Sequence, residues 1–363
     1  MFYDKELKAI KRKGIFRERK IFSKNLIDLA SNDYLGISEN LELFETAFKY
    51  LKDFGEFSPK ASMLVNGYSE IHQNLENLLS KIHNFENSII LGSGFLANFG
   101  LLESLVRNGD EVFMDSEYHS SGMVATKLLR KNQVNIFSHN SISELETLLQ
   151  TSSAKRKIIA VEGIYSMSGD LMKKEIFEIA DRFGAILIVD EAHSFGTVGN
   201  SLLGVFDLFN IQPKPNHIKM GTFGKAVGSY GAYILASAEI ISFLENRSKP
   251  IIYSTAPSLF DTALAHKSIL HILQNIEFFK DSILERKQIF EKVGISKAGL
   301  IYPISIETSQ KTLEIQNELK DNGFLVGAIR PPTVEKPILR VILRANISIQ
   351  NIEKLILLIS ARI

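Results

Sequence analysis

Short apolar runs alternate with segments of helical periodicity over residues 70–190 of the chain. The runs are typical of strands and cover residues 88–91, 111–114, 158–161 and 185–189. Segments with apolar residues three and four positions apart predict helices at residues 75–82, 95–106 and 122–129. Strands that are apolar on both faces and alternate with helices predict an α/β fold, with a mostly parallel sheet between two layers of helices.

The pattern differs at both ends of the chain. Residues 1–37 predict a basic amphipathic helix followed by a short strand at 26–30. Beyond residue 270, the predicted elements are helices at 276–293 and 312–322, strands at 304–306 and 339–343, and a last helix from Ile349. We therefore predict an N-terminal arm (1–37), a large α/β domain (38–272) and a small C-terminal α+β domain (273–363).

Composition excludes several classes of protein. Of 363 residues, 45% are hydrophobic and 23% are charged, which is typical of globular proteins. A net charge of +1 predicts no binding to nucleic acid or to an anionic membrane. The chain has no cysteine, which excludes thiol nucleophiles, disulfides and cysteine-based metal sites, and we expect no metal. No apolar stretch approaches the ~18 residues of a membrane span, and residues 1–19 lack a signal peptide's apolar centre, so we expect a cytoplasmic protein.

Glycines follow the first predicted strand of the large domain. The sequence Gly-Ser-Gly-Phe at 92–95 leads directly into a predicted helix. Glycine allows close backbone approach, and a helix N-terminus offers free N–H groups to an anion such as a phosphate. A plain tight turn explains this segment equally well when it is taken alone. Gly92, Gly94 and then Asn98 do not match the spacing of the dinucleotide motif.

A carboxylate stands at the end of the strand predicted at 185–189. The sequence continues as Asp-Glu-Ala-His at 190–193, which is also found in the Walker-B box of helicases. An NTPase would need a P-loop before this box. The nearest match, at 221–226, comes after it, has too short a glycine spacing, and carries Ala226 after the lysine in place of a hydroxyl residue. We therefore reject that interpretation.

Lys225 lies among small residues, at 224–229, within an otherwise apolar stretch. A lysine in a confined site loses its charge readily and becomes a nucleophilic amine, although alone it is more often a surface residue of a glycine-rich loop. Together with a phosphate-binding turn and the buried Asp190, it meets the needs of pyridoxal phosphate. That cofactor requires an anion site, a carboxylate at the pyridine nitrogen and a lysine for its aldehyde.

The order and spacing of these motifs resemble the α-oxoamine synthases over almost the whole chain. The resemblance is carried by residues 29–36 (Leu-Ala-Ser-Asn-Asp-Tyr-Leu-Gly), 66–69 (Asn-Gly-Tyr-Ser) with His72, 92–95, 162–169, 189–193 and 222–225. It implies a fold-type-I pyridoxal-phosphate enzyme that condenses an amino acid with an acyl thioester and releases CO₂.

The resemblance also implies a role for individual residues. Lys225 matches the Schiff-base lysine, Asp190 the partner of the pyridine nitrogen, and His119 the catalytic residue stacked on the ring, which also faces the substrate. The other implied cofactor contacts are Gly94, Phe95, Ser166, His193 and Thr222. Asn32 and Arg340 match the residues that hold the substrate carboxylate, and Arg17 and Thr333 match contacts to the acyl substrate.

One segment narrows the expected substrates. Residues 328–334 resemble the family branch that makes a biotin precursor from L-alanine and a pimeloyl thioester. The acyl carrier, CoA or a carrier protein, stays open, because residues 57–65 replace the family's usual Gly/Ser-rich stretch and the loop at 335–337 is shortened. Alternatives are glycine with acetyl-CoA, serine with a long acyl chain, or a non-catalytic binding protein that kept the fold.

The resemblance further implies a homodimer with active sites at the interface. Residues 253–255 (Tyr-Ser-Thr) would then reach the phosphate of the neighbouring subunit.

Overall fold

The computed structural model describes residues 2–362 of the chain. Its strands are β1 (Ile27–Leu29), β2 (Asn87–Leu91), β3 (Glu111–Asp115), β4 (Val134–Phe137), β5 (Lys157–Glu162), β6 (Ile186–Asp190), β7 (His217–Thr222), β8 (Ala232–Ala236), β9 (Ile301–Ser305), β10 (Phe324–Ile329) and β11 (Ile338–Ile342). They form a seven-stranded sheet of order β2-β8-β7-β6-β5-β3-β4 and a four-stranded sheet of order β1-β10-β11-β9.

Helices surround both sheets. They are α1 (Asp4–Arg12), α2 (Leu41–Phe54), α3 (Glu70–His83), α4 (Gly94–Leu105), α5 (Ser120–Ala125), α6 (Ile142–Thr151), α7 (Glu175–Arg182), α8 (Val205–Leu208), α9 (Ala238–Arg247), α10 (Lys249–Ile252), α11 (Leu259–Gln274), α12 (Ile276–Glu291), α13 (Ser309–Asp321) and α14 (Ile349–Ser360).

The larger sheet is mostly parallel, as predicted. Strands β4, β3, β5, β6 and β7 run parallel to one another, and β8 pairs antiparallel with both β7 and β2. Alternate residues of β5 belong to different cores: Ile158 and Ala160 pack in one hydrophobic cluster, and Ile159 and Val161 in the other. Because successive side chains of a strand point to opposite faces, both faces of the sheet are covered, and the predicted α/β class is confirmed.

The smaller sheet joins the two ends of the chain. Strand β1 runs parallel to β10, with Ile27 opposite Phe324 and Leu29 opposite Val326. The strand predicted in the N-terminal arm therefore belongs to the same sheet as the C-terminal strands. The division of the chain at residues 37 and 273 stays a prediction.

Several predicted boundaries were wrong. The helix predicted at 122–129 begins earlier, at Ser120, and gives way to a 3-10 turn at Thr126, whose hydroxyl donates to the carbonyl of Met123 at 2.8 Å. The strand predicted at 304–306 lies at 301–305, because its pairing with β11 begins at Ile301. Helix α12 was predicted to end at 293 but ends at Glu291, and Gly294 follows with φ +80°, a conformation that ends helices.

Within residues 2–362, no helix combines the length and the apolar character needed to cross a membrane. The same residues contain no group of three or more His, Cys, Asp and Glu side chains placed to hold a metal ion.

Candidate active site

The parallel strands of the larger sheet bring the predicted cofactor residues to one edge. Glu162 ends β5 and Asp190 ends β6, and the two are directly paired in the sheet. Strand β7 is the next neighbour and ends at Thr222, three residues before Lys225. Ligands bind beyond the carboxyl ends of the strands in open α/β sheets, so this edge is where a cofactor site is expected.

Lys225 contacts a histidine rather than a carboxylate. Its Nζ lies 2.7 Å from His193 Nε2. Burial lowers the pKa of Lys225 to about 8; the charges of Asp190 and Glu162 oppose this shift, and Arg340 adds to it. Burial, with the charge of Lys225, also holds the pKa of His193 well below its usual value. Near neutral pH, the lysine amine therefore lies beside an uncharged imidazole and is only moderately basic.

His193 in turn contacts the motif at residues 29–36. Its Nδ1 lies 2.5 Å from the hydroxyl oxygen of Tyr34, which is fully buried. The Tyr34 hydroxyl also donates to Asn32 Oδ1 at 3.4 Å. The lysine, the histidine, the tyrosine and the asparagine thus form one continuous polar cluster.

Asp190 is buried and accepts two hydrogen bonds. Asn98 Nδ2 donates to its Oδ2 at 2.8 Å, and the backbone N–H of Ala192 donates to its Oδ1 at 3.0 Å. Donors of this kind stabilise the ionised carboxylate. Burial and the charge of Asp190 raise the pKa of neighbouring Glu162 well above its usual value, so Glu162 holds a proton when Asp190 is charged.

His119 precedes α5 and lies within electrostatic reach of Asp190 and Lys225. Its Nδ1 is 2.7 Å from Ser121 Oγ. Burial lowers the pKa of His119; the charge of Asp190 opposes this shift and that of Lys225 adds to it. The imidazole is therefore neutral near pH 7.

Arg340, on β11, is buried next to Asn32 and Ser166. Its Nε donates to the Ser166 carbonyl at 2.8 Å and its Nη1 to Asn32 Oδ1 at 3.0 Å. Its Nη2 is buried without a hydrogen-bond partner among residues 2–362. A buried guanidinium nitrogen that lacks a partner is suited to an anionic ligand such as a carboxylate.

The residues predicted at the phosphate come together at the start of α4. Ser93 caps this helix, its hydroxyl accepting from the backbone N–H of Leu96 at 3.3 Å. A methyl group added at Gly94 would lie 3.7 Å from Thr222 Cβ, so the helix start faces the end of β7. Thr222 Oγ1 accepts from the backbone N–H of Gly224 at 3.2 Å. The side chain of Phe95 is exposed.

Arg17 and Thr333, the residues predicted at the acyl substrate, contact each other. Arg17 Nη2 donates to Thr333 Oγ1 at 3.1 Å. They line an open cleft of about 390 Å³ with Ile15 and residues 328–332. In the described part of the chain, no hydrogen bond joins this pair to the Lys225 cluster.

Sequence reasoning missed four polar members of the site: Tyr34, Asn98, Ser121 and Glu162. Glu162 could have been found, since it ends an apolar run in the same way as Asp190 does. Asn98 is a polar residue in the apolar helix α4, but its partner lies 92 positions away. No local pattern reveals such a contact.

Comparison with known proteins gives consistent matches. Residues 24–359 match the family Aminotransferase class I and II. An 8-amino-7-oxononanoate synthase of Helicobacter pylori is 43% identical over 97% of this chain and 95% of its own length. One from Geotalea daltonii is 32% identical, covering 92% of this chain and 89% of its own.

Two solved structures are similar to the fold. The 8-amino-7-oxononanoate synthase from Francisella tularensis has a TM-score of 0.76 and 26% identity, covering 93% of this chain and 98% of its own. Sphingomonas wittichii serine palmitoyltransferase has a TM-score of 0.88 and 23% identity, covering 99% of this chain and 97% of its own. At 23% identity, the similarity to the serine palmitoyltransferase shows only that the fold is shared.

Proposed function

The chain belongs to the class I and II aminotransferase family and, within it, to the 8-amino-7-oxononanoate synthases, and from this premise we propose its reaction. The protein condenses L-alanine with a pimeloyl thioester and gives 8-amino-7-oxononanoate, CO₂ and a free thiol, as a step of biotin biosynthesis. The chain is a pyridoxal-phosphate-dependent acyltransferase. The observation that carries this proposal is the 43% identity to the Helicobacter pylori enzyme over 97% of the chain.

The polar groups of the site suit pyridoxal phosphate. The cofactor, when bound, supplies an aldehyde and an electron-accepting ring that stabilises negative charge on the substrate carbon. The residues proposed to hold it are Gly94, Phe95, His119, Ser166, Asp190, His193, Thr222 and Lys225. Support comes from the buried Glu162 Oε1, which has no partner among residues 2–362, and from a lysine and a carboxylate on adjacent strand ends.

Lys225 and Asp190 carry the proton chemistry in this proposal. Because burial lowers the pKa of Lys225 to about 8, a useful fraction of its Nζ is an uncharged amine near neutral pH. This amine removes the proton from the α-carbon of alanine and later returns one. His193 Nε2, 2.7 Å away, orients it. Asp190 would hold a proton on the pyridine nitrogen.

Arg340 and Asn32 bind the carboxylate of the amino acid. The proposal rests on the buried Arg340 Nη2, which has no partner in residues 2–362, and on the hydrogen bonds that fix the other two guanidinium nitrogens. A guanidinium held in this way presents its free N–H groups in one direction, which suits a carboxylate.

Arg17 and Thr333 bind the acyl thioester. Their contact at 3.1 Å and the cleft beside it support this assignment. Several basic residues lie in α1 and in the segment after it, which contributes Ile15 and Arg17 to the cleft. These residues, Lys11, Arg12, Lys13, Arg17 and Arg19, would also suit an acidic carrier protein.

A product assay tests the function and identifies the carrier. The purified protein is incubated with pimeloyl-CoA or with pimeloyl carrier protein, each with L-alanine, glycine or L-serine, and thiol release and product mass are measured. We expect 8-amino-7-oxononanoate with L-alanine and one of the pimeloyl donors. Turnover only with glycine and acetyl-CoA, or with serine and a long-chain acyl-CoA, would contradict the proposal. So would a colourless protein that pyridoxal phosphate cannot reconstitute.

The chain is proposed to form a homodimer in the cytoplasm. Phe95, a proposed cofactor contact, is 48% exposed, and Tyr253 is 78% exposed, although aromatic side chains are usually buried. A second copy that covers both residues would bring residues 253–255 to the neighbouring phosphate. Light scattering should give twice the 40.7-kDa mass of the chain. A monomer with full activity would exclude a shared site.

A further inference from the structure

Buried hydrogen bonds join Asp190 and His119, the two side chains proposed to flank the cofactor ring. The linking residues are Asn98 in α4, Ser121 in α5 and Tyr118, which precedes α5. Asn98 is 1% exposed and Ser121 is 0% exposed. The function proposed above gives none of the three a role.

The neighbours of Asn98 fix the direction of its hydrogen bonds. An ionised carboxylate only accepts, so the Asn98 atom 2.8 Å from Asp190 Oδ2 is the amide nitrogen. The amide oxygen then faces Tyr118, whose hydroxyl donates to it at 2.6 Å. Burial raises the pKa of Tyr118 well above its usual value, so this hydroxyl keeps its proton. Tyr118 therefore holds the Asn98 amide in the orientation that Asp190 requires.

The same amide determines the hydrogen bonds of His119. The second hydrogen of Asn98 Nδ2 goes to Ser121 Oγ at 3.0 Å, which leaves the Ser121 hydroxyl to donate to His119 Nδ1 at 2.7 Å. The backbone N–H of Ser121 donates to this nitrogen as well, at 3.3 Å. A ring nitrogen that accepts hydrogen bonds carries no proton, so the proton of the neutral imidazole is on Nε2.

We propose that Asn98, Ser121 and Tyr118 are positioning residues that fix the Asp190 carboxylate and the His119 tautomer as one unit. Asp190 is held by two donors, Asn98 Nδ2 and the N–H of Ala192, and keeps one orientation. His119 is held with Nε2 as its donor. The inference rests on the proposed function, since the cofactor gives these two orientations their purpose.

The first test needs neither cofactor nor substrate. Nitrogen-15 spectra of histidine-labelled, cofactor-free protein report which ring nitrogen of His119 carries the proton, with His119→Asn to assign the signal. We expect the wild type to show the Nε2–H tautomer, and Ser121→Ala and Asn98→Leu to shift it toward a mixture. Ser104→Ala is the matched control. Ser104 is buried in α4, the helix that contains Asn98, and its hydroxyl has no hydrogen-bond partner among residues 2–362.

The second test is kinetic. With the cofactor bound, kcat of Asn98→Leu should fall about tenfold or more, as expected for a lost hydrogen bond to a charged group, while KM for the amino acid changes less than about twofold. Ser104→Ala should leave both constants unchanged. If Asn98→Leu does not fold, Tyr118→Phe replaces it, since that variant removes one hydroxyl from the same chain of hydrogen bonds.

His119 signals that are the same in wild type, Ser121→Ala and Asn98→Leu would overturn the inference, as would a wild type with its proton on Nδ1. A wrong substrate assignment would leave these spectra unchanged and would appear only in the product assay. The two failures are therefore distinguishable.

Discussion

Lys219 and Lys225 show how local partners decide what an amine can do. Lys219 is completely buried, lies 3.3 Å from Glu191 Oε1 and also donates to the carbonyl of Leu203. Burial lowers its pKa, but the charge of Glu191 opposes the shift and keeps the ammonium paired. Lys225 contacts the neutral His193 instead. Lys219 is thus suited to a structural role and Lys225 to a reactive one.

We predict that the amine of Lys225 reacts with a pH midpoint near 8, well below the 10.5 of a free lysine. Only the uncharged amine attacks a carbonyl, so the rate at which cofactor-free protein takes up pyridoxal phosphate should rise as pH passes through this value. Stopped-flow absorbance measures the rate. Lys225→Ala is the control; it should fold but retain no cofactor after borohydride reduction, and lose at least about 10²-fold in turnover. A midpoint near 10 in the wild type would contradict the prediction.

Arg340 and Arg344 lie four residues apart on one segment and can be compared directly. Arg344 Nη2 contacts Asp33 Oδ2 and Glu39 Oε1, each at 2.8 Å, whereas Arg340 Nη2 has no partner in residues 2–362. We predict that Arg340→Lys raises KM for L-alanine about tenfold, because lysine lacks the forked geometry, and that it also lowers Tm, because the hydrogen bonds to Ser166 and Asn32 are lost. Arg344→Lys should lower Tm but leave KM unchanged. Thermal unfolding measures Tm, and steady-state kinetics distinguish the two variants; equal KM values for both variants would argue against the carboxylate role of Arg340.

At the scale of elements, a buried carboxylate fastens α3 to β2. Glu76 Oε1 accepts from the backbone N–H of Ile90 at 3.0 Å, and Oε2 accepts from the Tyr68 hydroxyl at 2.5 Å. Burial raises the pKa of Glu76 to about 7, despite both hydrogen bonds. Since β2 leads into α4, this contact supports the start of the proposed phosphate site.

Glu76 should make stability fall as pH rises. Its folded-state pKa, about 7, lies above the usual 4.5, so the folded protein binds more protons than the unfolded chain between these values. The free energy of unfolding should therefore decrease by about 2–3 kcal/mol from pH 5 to pH 8, relative to Glu76→Gln, which has no charge to gain. Urea unfolding of both proteins at several pH values measures this. A difference that does not change with pH would refute the assignment.

Across the whole molecule, the site depends on both ends of the chain. Asn32 follows β1, and Arg340 lies on β11; both strands belong to the smaller sheet, whereas Asp190 ends β6 and Lys225 follows β7 of the larger one. The hydrogen bond from Arg340 to Ser166 joins the two groups. The residues proposed to bind the substrate and the cofactor are therefore held together by hydrogen bonds.

Two deletions should separate the N-terminal helix from the strand that follows it. Helix α1 has no buried side chain, so removal of residues 2–13 should change Tm by no more than about 2 °C. Removal of residues 2–29 also deletes β1, including the fully buried Leu29, and should lower Tm much further or prevent folding. Circular dichroism melts of both variants test this. A large decrease in Tm caused by the shorter deletion would show that α1 packs more firmly than its exposure indicates.

The apolar pattern predicted four of the seven strands of the sheet that carries the site, and it missed β4, β7 and β8. Strand β7 contains Lys219, whose charge interrupts the apolar run. Only the tertiary structure supplies Glu191 as its partner and makes the buried charge tolerable. Strand β10 was missed as well; it pairs with β1, some 300 residues earlier in the chain, in a contact without a local signal.

The sequence by itself determined the α/β class and the strand ends at which chemistry is expected. It also singled out Lys225 and Asp190 as candidate site residues, because all of these follow from periodicity and from short motifs. Only the tertiary structure decided which polar groups meet. Asn98 reaches Asp190, Tyr34 reaches His193 and Asn32 reaches Arg340 across 92, 159 and 308 positions. Hydrogen bonds act over about 3 Å, so their partners are set by how strands and helices pack, and not by separation along the chain.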